Sequence, residues 1–209
     1  MSKTLVGAGL RPAQPSSEGR HERLRRKVLR FPGYDYSQPG SYFVTICTND
    51  RRCLLGRVVE GAMQLNDLGT AVEMCCRALA QHYPHVGLDA FVVMPNHVHG
   101  IINLMDGASI DERGRTRQGL PEVVRAFKAF SSRQINSLRE KQASIWQRSY
   151  YEHIIREEES LNQIREYIAT NPLRWHLDHE NPEIAHADPG AGLRPAPTKD
   201  DPDLLPFLR

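Results

Sequence analysis

Hydrophobic and polar positions alternate at two periods along this chain, and the change of period marks the elements. Residues 41–48 are β-branched and aromatic and read as a strand, with 53–59 as its short hairpin partner. Across 66–82 the apolar positions are 68, 71, 72, 75, 76 and 79, a helical period with Asn66 or Asp67 as the cap. Residues 88–94 form a second strand that Pro95-Asn96 interrupts, and 98–104 resumes as its antiparallel neighbour. Residues 120–138 are predicted helical, with Pro121 suited to the first turn. The stripe of Val124, Phe127 and Ile135 leaves Arg125, Lys128 and Arg133 outside it. Residues 145–155 alternate as a strand. Residues 157–170 form a last helix with acids in its first turn and Asn171-Pro172 at its end. The order β(β)αββαβα predicts an α+β fold, helices packed on one antiparallel sheet.

Outside this core the periodicity fades. Residues 106–119 carry three glycines and Arg113, Arg115 and Arg117, and read as a mobile loop. Residues 5–20 and 181–206 are rich in Gly, Pro, Ala, Asp and Ser, a composition that does not bury a core. The 209 residues thus divide into an arm (1–32), one domain (33–177) and a tail (178–209). The tails share a repeat, Gly7-Ala-Gly-Leu-Arg-Pro-Ala13, which recurs as Gly190 to Ala196. Gly-Ala-Gly written GGG GCG GGG is complementary to a CCCGCCCC within Arg194 to Pro197, so both tails read as translated copies of a hairpin-forming DNA repeat. Unrelated codons in the two copies would sink that reading.

Charge and cysteine content add to this. The net charge of +2 averages over unlike segments. The arm holds eight Lys and Arg against two acids, the domain sixteen of each, and the tail three bases against seven acids. The arm's excess lies in Arg20, Arg23, Arg25, Arg26, Lys27 and Arg30, able to neutralise phosphates if the arm is not simply a solvated leader. Four cysteines without CxxC spacing exclude a disulfide scaffold and suit reduced thiols. No apolar run of about 18 residues and no signal peptide are found, so a cytoplasmic location is expected.

The sharpest local feature is Met94-Pro-Asn-His-Val-His-Gly100. On a strand, residues i and i+2 share a face, so His97 and His99 project together, as a metal-chelating pair or an incidental one. The second is Tyr167-Ile-Ala-Thr-Asn171, whose ends share one helix face. A tyrosine hydroxyl can attack phosphorus and a carboxamide oxygen can complete a metal site, although a helix-end tyrosine also packs readily on a core.

Taken with Ile145-Trp-Gln-Arg-Ser-Tyr-Tyr-Glu-His-Ile-Ile-Arg156 and Ile164 to Pro172, these motifs resemble the single-tyrosine HUH transposases of the IS200 type, and within them the REP-associated tyrosine transposases. The resemblance spans roughly residues 33–177. It implies a ferredoxin-like fold with the histidines on a central strand, His97, His99 and Asn171 as ligands of Mg²⁺ or Mn²⁺, and Tyr167 as nucleophile. It implies nicking and strand transfer on single-stranded DNA bearing hairpin repeats through a 5′-phosphotyrosine, in the cytoplasm at the nucleoid. Tyr150 and Tyr151 are rival nucleophiles, of which at most one can face the site, and His153 is a candidate base. Trp146 reads as a core anchor, with Gln147 and Arg148 at DNA. Arg23, Arg25, Arg26 and Lys27, with Arg125 and Lys128 as a second patch, are the further DNA-contact candidates. Two alternatives stay open. One is a quiet nucleic-acid-binding module, which predicts exposed aromatics such as Tyr42 and Phe43 on the sheet. The other is a metal-dependent phosphodiesterase using water. Monomer and homodimer are both compatible with the sequence.

Overall fold

The alternation in β1 (Gly40–Cys47) sends Tyr42, Val44 and Ile46 to one face of the sheet and Phe43, Thr45 and Cys47 to the other, and all six are buried. A strand buried on both sides belongs in the middle of a sheet with cover on each face. The computed structural model, which describes residues 33–106, 118–178 and 180–183, has that arrangement. The sheet runs β4 (Val86–Val93), β5 (His97–Leu104), β1, β6 (Tyr151–Ile155), antiparallel at every pair. With α1 (Asp67–His82) after β1 and α2 (Leu120–Leu138) after β5, this is the βαββαβ order of a ferredoxin-like sheet. α1 and α2 cover one face, where Val72, Cys76, Leu79, Val124 and Phe127 meet Tyr42, Val44, Ile46, Val98 and Ile102. The opposite face receives α3 (Glu158–Thr170), whose Ile164 and Ile168 pack on Phe43, Ile101, Tyr151 and Ile155. Tyr42 and Phe43 are therefore 0% and 1% exposed, and the stacking surface a binding module needs is not on these strands.

Two local expectations are corrected. Residues 53–59 do not pair with β1; Gly56–Val59 (β2) pairs with Ala62–Leu65 (β3) in a separate two-stranded sheet. Its turn is Glu60-Gly61, both at positive φ (51° and 74°), the geometry that matches the twist of a tight hairpin. Residues 145–150 are not strand, apart from one bridge between Thr48 and Trp146. Here α2 side chains take over the backbone: Lys128 Nζ donates to the carbonyls of Gln147 (3.0 Å) and Ser149 (2.9 Å), and Trp146 Nε1 donates to Ser131 Oγ (2.9 Å). The last α-helix does end at Asn171-Pro172, with Thr170 as its final residue. A 3₁₀ segment, Asn171–Leu177, follows α3, and Glu180 and Asn181 beyond it are buried.

Between β4 and β5, Met94 N–H donates to the His97 carbonyl (2.8 Å), closing a tight turn around Pro95-Asn96. That turn makes His97 the first residue of β5, with Cys47 opposite His97 and Thr45 opposite His99. Among the described residues no helix is long and apolar enough to cross a membrane.

Candidate active site and metal centre

Strand parity places His97 and His99 beside Thr45 on the face that α3 covers, their ring centroids 4.4 Å apart. Both are buried. Loss of water pushes the His97 imidazole down to about 3 and the His99 imidazole well below its usual range, so both rings are neutral at physiological pH. Each ring is held through Nδ1. Asn96 donates its amide hydrogens to the carbonyls of Arg51 (3.0 Å) and Glu180 (2.6 Å), which turns Oδ1 towards His97 Nδ1 at 2.9 Å. The His97 proton must then sit on Nδ1, leaving the Nε2 lone pair facing the cavity. Thr45 Oγ1 lies 2.9 Å from His99 Nδ1 and fixes the orientation of that ring.

α3 and its continuation supply the other wall. Tyr167 is half-buried, its hydroxyl 3.3 Å from His99 Nε2 and its ring against His99 and Phe43. One turn on, Asn171 is 2% exposed and donates Nδ2 to Asp178 Oδ2 (3.3 Å). Asp178 Oδ2 also lies 3.7 Å from His97 Nε2. His97 Nε2 and Asn171 Oδ1 are both buried without a hydrogen-bond partner among the described residues. Two orphaned lone pairs converging with a carboxylate in a buried site are costly in an apo protein and suited to a cation. His97, His99 and Asp178 each offer a ligand atom, all within 4.8 Å of one another.

Beside this cluster Arg51 Nε pairs with Glu180 Oε2 (2.9 Å), and Cys47 Sγ donates to the same oxygen (3.4 Å). Burial, and then that carboxylate, push the Cys47 thiol well above its usual range, so it is a protonated structural thiol.

A family model described as "Transposase IS200 like" matches residues 40–171, more than half of the chain and all of the site except Asp178. The chain belongs to the IS200-like transposase family. An uncharacterized protein of Haemophilus influenzae is 40% identical to it over 73% of this chain and 91% of its own length. A second Haemophilus influenzae protein, named for the REP-associated tyrosine transposases, is 27% identical over 81% of this chain and 93% of its own. The structure of a REP-associated tyrosine transposase bound to a REP hairpin superimposes with a TM-score of 0.50 at 22% identity, covering 78% of this chain and 86% of that one. It shares the fold.

In this IS200-like transposase the four residues expected at the centre, His97, His99, Tyr167 and Asn171, do come together. The rival tyrosines separate by parity. Tyr150 is buried on the α1–α2 side under Lys128 Nζ, 5.2 Å from its ring, whereas Tyr151 shares the histidine face but stands on β6, beyond Thr45. His153 sits on β6 opposite Phe43. Arg148 and Arg125 are exposed and Gln147 is half-buried. Lys128 is engaged by the 147–149 carbonyls and acts as their strut. Burial lowers its ammonium to about 8. Arg23, Arg25, Arg26 and Lys27 lie outside the described residues, as do both copies of the tail repeat and most of the 106–119 loop. Thr45, Asn96 and Asp178 were not singled out from sequence. Asn96 could have been, since it sits inside the histidine motif; Asp178 was hidden in the count of tail acids.

Proposed function

We propose that this transposase nicks and rejoins single-stranded DNA at hairpin-forming repeats, with Tyr167 as nucleophile and His97, His99 and Asn171 as ligands of a divalent cation, Mg²⁺ or Mn²⁺. The observation that carries this reading is the Tyr167 hydroxyl, 3.3 Å from the Nε2 of a buried, neutral histidine whose ring is fixed from behind. The REP hairpin held by the protein of like fold supports the choice of substrate.

Each residue has a defined task. Asn96 holds His97 with its Nε2 lone pair inward, and Thr45 holds the His99 ring with Nε2 turned to Tyr167. A hard divalent cation bound there would polarise a non-bridging phosphate oxygen and ease ionisation of a phenol whose ordinary pKa is near 10. Phe43 and His99 flank the Tyr167 ring and restrict its swing, which would favour an in-line approach of the phenol oxygen to phosphorus. The Tyr167 oxygen bonds to phosphorus, the bond from phosphorus to the 3′-oxygen breaks, and that oxygen leaves as a 3′-hydroxyl with a proton. Reversal by another 3′-hydroxyl transfers the strand and restores Tyr167. The covalent link conserves the phosphodiester energy, so no nucleotide is consumed. Arg148, Gln147, Arg125 and the basic arm residues Arg23, Arg25, Arg26 and Lys27 supply DNA contacts around this centre. The cytoplasm, at the nucleoid, is where such a substrate is met.

The test is a labelled single strand carrying the flanking hairpin, incubated with protein and Mn²⁺ and run on a denaturing gel. A covalent adduct is expected in the wild type, and its formation should fall at least about a thousand-fold in Tyr167→Phe. Cleavage that persists without an adduct in that variant would overturn the tyrosine mechanism in favour of activated water. Binding without cleavage would leave only a recognition module.

A further inference from the structure

We propose that Asp178, from the segment that follows the nucleophile's helix, is an anionic fourth ligand of the ion held by His97, His99 and Asn171. This rests on the reading of the histidine pair as a metal site. Two neutral imidazoles and a neutral carboxamide give a dication no compensating charge in a buried pocket, and hard cations of the Mg²⁺ and Mn²⁺ class select carboxylate oxygen. Asp178 supplies that charge where it is needed: its side chain is 8% exposed and its Oδ2 stands 3.7 Å from His97 Nε2. Around an ion with bonds near 2.1 Å, adjacent ligand atoms lie about 3 Å apart and opposite ones about 4.2 Å apart. The 4.8 Å limit on the cluster is a small side-chain movement from that geometry.

Among the described residues, the neighbours fix this role on Asp178. Asp178 Oδ1 accepts from Glu180 N–H (2.8 Å) and Oδ2 accepts from Asn171 Nδ2 (3.3 Å), so the carboxylate and the carboxamide orient each other, leaving Asn171 Oδ1 as the free ligating atom. Glu180 itself is committed to Arg51 and Cys47. Its backbone carbonyl takes the Asn96 amide (2.6 Å), and Asn181 Nδ2 donates to the Trp175 carbonyl (3.0 Å). These contacts dock Asp178, Glu180 and Asn181 against the histidine turn, so the segment that brings Asp178 also steadies His97.

Mn²⁺ binding to the full-length protein, by calorimetric titration and by the rise in Tm at saturating Mn²⁺, tests this without reference to activity. Asp178→Asn keeps the size and the Oδ1 acceptor while removing the charge, and should weaken Mn²⁺ at least tenfold and reduce the rise in Tm. Glu180→Gln, which loosens the docking but leaves Asp178 in place, should weaken it less. Equal binding by Asp178→Asn and wild type, while His97→Ala binds none, overturns the fourth ligand and leaves the histidine site standing. An equal fall in Asp178→Asn and Glu180→Gln also overturns it, since docking alone would then account for the loss. Wild-type protein that binds no Mn²⁺, or binds it undiminished in His97→Ala, removes the metal site itself and this inference with it.

Discussion

A buried imidazole can serve a cation only if one of its nitrogens is already taken, because the remaining lone pair then has a fixed direction. Asn96 and Thr45 do this for His97 and His99, and each is itself fixed, Asn96 by two backbone carbonyls and Thr45 by its place on β1 directly across from His99. The two partners differ in how cleanly they can be tested. Removing the Asn96 amide strands two carbonyls as well as the imidazole, so stability and metal affinity fall together. Thr45→Val keeps the β-branched shape and deletes only the hydroxyl. It should weaken Mn²⁺ by about ten- to a hundred-fold, the usual consequence of losing an outer partner of a ligating histidine. Calorimetric titration measures that directly, and a Thr45→Val protein with wild-type affinity would show that the His99 ring is held by packing alone.

At the scale of elements, α3 matters because it carries Tyr167 and leads into Asn171, so its seat on the sheet sets the geometry of the whole centre. The seat has an apolar part, Ile164 and Ile168, and an ionic one, in which Arg165 Nε and Nη2 bond Asp89 of β4 at 2.9 and 2.6 Å. The paired guanidinium, through its hydrogen bonds, holds the Asp89 carboxyl below its ordinary value of 3.8. The folded protein therefore binds fewer protons than the unfolded chain across that interval. The stabilisation is complete above the ordinary value and disappears as the pH falls through the lowered one. Arg165 is 39% exposed, so solvent and salt screen the pair and keep its contribution small. The difference in Tm between wild type and Asp89→Asn should be constant from neutral pH down to the carboxylate range and then close. A gap that persists in acid would mean that the substituted carboxamide disturbs packing rather than charge. The helix itself was legible in the sequence because its apolar period is regular, and so were β1, β4, β5 and α2. The β2–β3 hairpin and the 145–150 segment were not, because a non-glycine residue at positive φ (Glu60) and side-chain capping of carbonyls by Lys128 leave no mark in an apolar pattern. Of the site, His97, His99, Tyr167 and Asn171 were visible as spaced motifs. Asp178 was not, since an acid that folds back from a charged segment has the same sequence signature as one that does not.

For the molecule as a whole, a net charge of +2 conceals a strong polarity along the chain. Residues 33–177 are neutral, and the tail, residues 178–209 with seven acids and three bases, begins by inserting Asp178 and Glu180 into the protein. Those two carboxylates are consumed internally and repel phosphate less than their number suggests. In the arm, eight Lys and Arg, with Arg23, Arg25, Arg26 and Lys27 among them, face two acids, Glu18 and Glu22. If the arm lies on the phosphates of a hairpin, each cation there releases condensed counterions on binding. The logarithm of affinity then falls with the logarithm of salt by about 0.7 per contact on single strands and about 0.9 on a duplex stem. Replacing all four with alanine should therefore flatten that slope by about 3 and weaken binding most at low salt. Adduct formation at saturating DNA should be unchanged, because none of the four belongs to the metal centre. Fluorescence anisotropy of a labelled hairpin over a salt series gives the slope, and a slope identical in the two proteins would place the arm off the DNA. The exposed Arg125 and Arg148 would then be left to supply the electrostatic part of recognition from the folded domain alone.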